Sequence, residues 1–320
     1  MNKRLLKLSR EYVLVNAKWY APEKLYRKLK LFYYSFHRPL VSFFLSRKKI
    51  FEVIRNKYHV DLILKGSGGT SKEYNYRQCE KLNGIEGKNI LVPGCGPGEH
   101  LLTLMSFKPA RITAFDLFEY TEEWEFVKQK GKEKGVEIVL LKADVDSAQI
   151  KERGYFDWII SDAVLEHIKE LENFMNSCGA LLKEDGYFYA TFGPLWYGPG
   201  GDHMAGEKAL FNHLLFSAEA YREYIGLLKQ TNDRDSNDGI FLYEQGLFSY
   251  LYAEDYLKII EKTGFNINLM HLQYSNAAFR FLSGHPGEKV KIIEKYGVVF
   301  DLYCGGINIW ARKIGARETL

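Results

Sequence analysis

The chain has 320 residues, 46% hydrophobic and 26% charged, which excludes wholesale disorder and allows one large core with an added lobe. Its formal net charge of +4 conceals an asymmetry: residues 1–60 hold 15 Lys and Arg against 3 Asp and Glu, while the remainder holds 29 against 37. No stretch reaches the ~20 apolar residues of a membrane span, and the basic start lacks the uninterrupted apolar core of a signal peptide.

The basic start is helical in period. Leu5, Leu8, Tyr12, Val15 and Trp19 recur at steps of three and four, as do Leu25, Leu29, Phe32 and Phe36, with Pro22 and Pro39 between segments. Residues 1–64 are therefore expected to form a basic, aromatic-rich helical extension. Two readings compete for it: a cap packed on the rest of the protein, or a surface meeting anionic lipid or another acidic partner through residues 1–60. The turn-prone stretch 65–71 marks the boundary, and residues 65–320 form the second unit.

That unit opens on an apolar run at 89–92, which ends in Pro93-Gly94-Cys95-Gly96-Pro97-Gly98. A helix-like segment follows over 99–107, then a second apolar run at 112–115 that ends on Asp116. The order is strand, glycine turn, helix, strand, acid. Such a turn needs glycine because no Cβ can stand between the backbone and a nucleotide lying across the strand end, and an acid about 20 residues later can accept hydrogen bonds from a ribose. The glycines are spaced Gly94-x-Gly96-x-Gly98, tighter than the G-x-G-x-x-G turn that clears a pyrophosphate. A third strand at 138–141 leads to Asp144, a fourth at 155–162 leads into Ala163-Val164-Leu165-Glu166-His167, and the Asp185-Gly186 turn precedes a fifth at 187–192. A helix over 252–263, a strand at 265–274, added helix within 276–296 and a last strand at 306–311 complete the reading.

This succession resembles the class I S-adenosylmethionine (SAM)-dependent methyltransferases, closely over about residues 85–192 and more loosely over 253–313. The resemblance implies an α/β fold: a Rossmann-like, seven-stranded, mostly parallel sheet with helices on both faces, an N-terminal helical extension and a lid insertion over about 193–245. It implies SAM as cofactor, with Gly94, Cys95, Gly96 and Gly98 in the glycine motif, Asp116 and Leu117 at the ribose, Asp144 and Val145 at the adenine, and Ser161 closing the cofactor set. The chain departs from the family at Val92, where an acid usually helps to hold the cofactor's methionine end.

Methyl transfer is an in-line displacement at a sulfonium carbon, with a base where the acceptor must lose a proton. His167 is the first candidate for that base, His203 and His213 share the role, and Asp162 orients one of them or binds the acceptor. His37, His59, His100, His271 and His285 are expected to be structural. The insertion mixes turn formers with aromatics, and a loop at the carboxyl end of a central strand lies over the ligand crevice, so Trp196, Tyr197 and His203 are assigned to the acceptor. The polar run 232–239 resembles a calcium loop in composition but lacks its terminal Glu, and is expected to be a solvated tip. Cys79, Cys95, Cys178 and Cys304 include no close pair, and are expected to be reduced packing thiols in a cytoplasmic protein that binds no metal.

The absence of an Asn-Pro-Pro-Tyr or Asp-Pro-Pro-Tyr motif and the acidic body disfavour a nucleic-acid substrate. The expected acceptor is a small molecule or glycan, with O-methylation of a sugar-like or other small hydroxylated compound the leading reading. A lipid or quinone acceptor is the runner-up. A catalytically silent SAM-fold partner subunit is the alternative for which Val92 speaks, and the oligomeric state is open.

Overall fold

A computed structural model describes residues 61–65, 70–204, 210–230, 234–298 and 300–314. The basic segment 1–60, with its expected helices and membrane contact, lies outside the described residues, as do 66–69 of the boundary stretch. The strands are β1 (Asp61–Lys65), β2 (Asn89–Pro93), β3 (Arg111–Asp116), β4 (Glu137–Lys142), β5 (Phe156–Asp162), β6 (Leu182–Phe192), β7 (Phe265–Tyr274) and β8 (Cys304–Lys313). They form one sheet in the order β1-β7-β8-β6-β5-β2-β3-β4, parallel except that β8 runs antiparallel to both β6 and β7.

The seven expected strands are all present, and β1 is an eighth. Its residues lie at the end of the segment assigned to the helical extension, where Leu62, Ile63 and Leu64 interrupt the basic run. Pairing with β7 satisfies backbone groups that an open sheet edge would expose. The expected Asp185-Gly186 turn is absorbed into β6 as an irregularity: Asp185 has φ +60°, and the β5–β6 register shifts between Phe156 and Trp158.

Both faces of the sheet are buried, so the central strands carry apolar residues on both faces, and successive side chains alternate in which core they enter. Trp158 and Ile160 of β5 join Ile90, Val92, Tyr189 and Trp310 under helices Lys72–Asn83, Glu99–Leu104 and Thr121–Lys134. Ile159 joins Leu91, Phe188 and Ile307 against helices Leu171–Leu181 and Ala253–Lys262. Ser71 caps the first of these helices, its hydroxyl accepting from the Tyr74 N–H at 3.2 Å. All four cysteines are buried and unpaired. Among the described residues no helix is long and apolar enough to cross a membrane.

From β2 the chain winds outward through β3 to β4, then returns to β5 on the other side of β2. A crevice opens at the carboxyl ends of the strands where the winding reverses, between β2 and β5. The glycine turn and the residues after Asp162 flank it.

Candidate functional site

The glycine turn takes φ +62° at Gly94, +51° at Gly96 and +88° at Gly98, conformations that side chains rarely adopt. The three glycines are required for different reasons. A Cβ on Gly94 would stand 2.4 Å from Cγ2 of Val164, and one on Gly98 would stand 3.2 Å from Val127, so both permit close packing. A Cβ on Gly96 would meet nothing within 4 Å. Gly96 therefore faces open space, so no protein atom obstructs a ligand lying across the turn there.

The turn is fastened from outside that space. Asp116 accepts from the Gly96 N–H at 2.8 Å through Oδ2 and from the Phe118 N–H at 3.0 Å through Oδ1, while the Trp124 indole donates to the Gly96 carbonyl at 2.8 Å. Each Asp116 oxygen keeps a lone pair, so the carboxylate is aimed and still able to accept a pair of hydroxyls. Leu117 and Phe118 are exposed beside it. At the next strand end Asp144 is exposed and Val145 buried. The Cys95 thiol is buried and pushed up to about 12, first by burial and then by the Asp116 charge, which makes it inert packing rather than a nucleophile. Ser161 is buried, with its hydroxyl unpartnered.

Beyond β5 the chain turns at Ala163, exposed and at φ +57°, into the short helical turn Leu165–His167. Two imidazoles meet there. His167 Nδ1 lies 2.8 Å from the Leu247 carbonyl and His203 Nε2 lies 3.0 Å from the Pro194 carbonyl. A carbonyl can only accept, so these nitrogens carry the hydrogens, leaving Nε2 of His167 and Nδ1 of His203 as lone pairs. The ring centroids are 5.1 Å apart, edge to face, and both rings rest on Phe248. Trp196 lies 5.0 Å from Phe248 and 4.6 Å from Tyr250. Burial, then the neighbouring His203, pushes His167 down to about 4, and burial lowers His203 as well, so both rings are neutral near pH 7.

The other acceptor-side residues go elsewhere. His213 sits behind Trp196, its Nε2 donating to the Trp196 carbonyl at 2.7 Å and its Nδ1 3.8 Å from Asp202, whose carboxylate accepts from the Tyr221 hydroxyl at 2.9 Å. Tyr197 stacks on Tyr252 at 4.4 Å and packs on Tyr296. Asp162 accepts from the Tyr76 hydroxyl at 2.7 Å, on the sheet face of Trp158 and Ile160, rather than orienting a histidine. The expected solvated tip is instead helical: Arg234–Glu244 is a helix whose Gly239 would carry a Cβ only 2.4 Å from the His203 carbonyl oxygen. Ser236 of the same helix donates to the Met204 carbonyl, and Phe241 meets Phe118 at 5.8 Å.

One residue that sequence reasoning passed over ties these parts together. Glu166 accepts from the Gly193 N–H at 2.8 Å through its side chain, and its carbonyl accepts from the Ser249 N–H at 3.0 Å, so it pins both ends of the insertion beside His167. Its only signal was an acid next to the candidate base. Burial pushes the Glu166 carboxyl up to about 8 from an ordinary 4.5. The folded protein thus binds this proton more tightly than the unfolded chain, and stability falls as pH rises from about 4.5 through 8. Glu166→Gln keeps an oxygen for Gly193 and cannot ionise, so its thermal melts between pH 5 and 9 should lose that part of the slope. An unchanged slope would show that Glu166 is not the group responsible.

Residues 91–190 match the family model of a methyltransferase domain. The ubiquinone biosynthesis O-methyltransferase of Haemophilus ducreyi is 33% identical over 122 residues, 37% of this chain and 50% of that protein. That of Vibrio campbellii is 28% identical over 113 residues, 35% of this chain and 47% of that protein. The chain spans about half the length of these curated relatives. Among solved structures, an S-adenosylmethionine dependent methyltransferase from Mesorhizobium loti is 14% identical with a TM-score of 0.45, over 76% of this chain and 98% of that one. The geranyl diphosphate C-methyltransferase of Streptomyces coelicolor A3(2) is 10% identical with a TM-score of 0.46, over 76% and 78%. The matched segment holds the glycine turn, Asp116, Asp144 and His167, and ends before the insertion.

Proposed function

We propose, from the premise that this chain carries a class I SAM-dependent methyltransferase domain, that it O-methylates a flat hydroxylated ring, phenolic or quinol-like, held under the insertion. SAM is the cofactor, and the open space at Gly96 together with the aimed Asp116 carboxylate fits its nucleoside. Asp116 would accept the ribose hydroxyls, Asp144 would face the adenine, and Gly94 and Gly98 would shape the turn around it. When bound, SAM supplies a methyl group on a sulfonium.

The observation that carries the acceptor side is the pair of neutral imidazoles inside an aromatic wall. His167 Nε2 takes the proton as the acceptor oxygen attacks, and the Leu247 carbonyl holds the opposite N–H and steadies the imidazolium that forms. Trp196, Phe248 and Tyr250 stack on the acceptor and exclude water. His213 and Asp202 hold the loop from behind, and Tyr197 anchors it to the C-terminal helices. The two curated relatives are named for ubiquinone biosynthesis, which supports a ring acceptor of this kind. A sugar-like acceptor is the second reading, favoured by the exposed Tyr250 ring beside Trp196.

Transfer of labelled methyl from SAM to a panel of catechols, hydroquinones and glycosides separates these readings. Labelled phenolic ethers are expected. Labelled glycosides alone would favour the second reading, and cofactor binding without transfer to any acceptor would favour a silent partner subunit. The division into an extension over 1–64 and a methyltransferase unit over 65–320 belongs to the same proposal, with residues 1–60 bringing the protein to a lipid-borne acceptor. Liposome sedimentation should then be salt-sensitive for the full chain and lost in a chain starting at Asp61, which keeps β1.

A further inference from the structure

The amino-acid end of SAM is a zwitterion, and both of its charges lose water when they enter a crevice, so each needs a counter-charge there. The position where the resemblance leads one to expect the acid is Val92, which is fully buried in an apolar cluster with Tyr76, Trp158 and Tyr189. The adjacent strand carries an acid at its tip. The β2–β5 pairing sets Ile90 opposite Trp158 and Leu91 opposite Ile159, so counting up the two strands brings Asp162 level with Gly94. Two residues further on, Val164 packs directly against Gly94.

Asp162 is built to receive something. Its side chain is only 4% exposed, Oδ2 accepts from the Tyr76 hydroxyl at 2.7 Å, and Oδ1 has no hydrogen-bond partner. A buried carboxylate oxygen left unpaired is uncommon and calls for an explanation. The buried Tyr189 hydroxyl lies beside the same carboxylate, near enough for the Asp162 charge and a side-chain hydrogen bond to it to help hold the phenol protonated. Lys72 opens the helix that covers this face, half-exposed, with its Nζ 4.0 Å from Oδ2. That distance is too long for a tight pair, so the ammonium keeps donors to spare. His100, buried nearby and held neutral by burial, adds no charge.

We propose that Asp162 holds the α-ammonium and Lys72 the α-carboxylate of the cofactor's amino-acid end, the acid having moved from strand β2 to its neighbour β5. The proposal rests on the SAM reading above. It places Asp162 on the cofactor side of the crevice rather than among the groups that handle the acceptor's proton. It also removes Val92 as a reason to regard the site as silent, because the missing charge is supplied from the next strand.

Two ligands separate this role from a structural one: S-adenosylhomocysteine, which keeps the amino-acid end, and 5′-methylthioadenosine, which keeps the nucleoside and thioether but lacks it. By calorimetry on the full chain, Asp162→Asn should weaken S-adenosylhomocysteine about 10- to 150-fold. The same variant should leave 5′-methylthioadenosine unchanged, since the asparagine oxygen still accepts from Tyr76 and keeps the pocket in shape. Lys72→Met should weaken S-adenosylhomocysteine about 2- to 5-fold, reflecting its greater exposure, again without effect on 5′-methylthioadenosine. An Asp162→Asn variant that bound S-adenosylhomocysteine like the parent, or that lost both ligands equally, would overturn the assignment. A parent protein that bound neither ligand would overturn the SAM reading itself, and the assignment with it.

Discussion

His167→Ala is expected to lower kcat by about 100- to 10,000-fold while leaving the affinity for S-adenosylhomocysteine within twofold of the parent. The asymmetry follows from position: His167 lies beyond β5 against His203 and Phe248, whereas the glycine turn and Asp116 lie across β2 and β3. Its neutral form is set by burial, with the proton leaving near 4, so kcat/KM should be flat through neutral pH and fall only as the pH approaches that value. His203→Ala should shift the acid limb upward, because the second ring helps to hold His167 down. Steady-state kinetics across pH 4 to 9, paired with calorimetry, check both statements. A His167→Ala enzyme with parental kcat would show that acceptor deprotonation needs no help from this pair.

The second large effect concerns the nucleoside. Gly96→Val should abolish detectable binding of S-adenosylhomocysteine, since its side chain projects into the space that no protein atom fills. Asp116→Ala should weaken binding by ~1.5 to 3 kcal/mol, about 10- to 150-fold, by removing the acceptor of paired ribose hydroxyls. It also frees the Gly96 N–H that the carboxylate restrains. Asp116→Asn retains one acceptor and should fall between. Parental binding by both Gly96→Val and Asp116→Ala would place the nucleoside elsewhere.

The geometry of the proposed cofactor half was legible because its parts are near neighbours in the chain and each strand announces its own end. Gly94, Gly96 and Gly98 had to be glycine for reasons of φ and clearance, and Asp116 follows within one strand-helix-strand unit. The acceptor half was only half legible. His167, His203 and Trp196 lie near one another around Phe248, but what holds them (Leu247, Phe248 and the Glu166 clamp) joins points about 30 to 80 residues apart, and no local pattern encodes that. Adjacent residues of an irregular loop also turn different ways, so Trp196 meets the imidazoles' aromatic wall while Tyr197 packs on Tyr252 and Tyr296. The run 232–239, of which 234–239 is described, reads as a loop because Asp, Asn, Ser and Gly favour turns. Packing of Gly239 onto the His203 backbone overrides that preference. Strand β1 escaped notice because its partner β7 lies some 200 residues away.

The helix Arg234–Glu244 leans on the backbone of His203 through Gly239 and on the ring of Phe118, two residues past Asp116, through Phe241. One helix thus touches both the segment after Asp116 and the loop that carries His203. On the proposed placement of nucleoside and acceptor, a motion that carries this helix away from Phe118 would also shift the loop on the acceptor side. A compound with several hydroxyls would therefore be handled distributively, released after each methylation and recaptured for the next. Singly modified product should accumulate in solution well before the fully modified one appears.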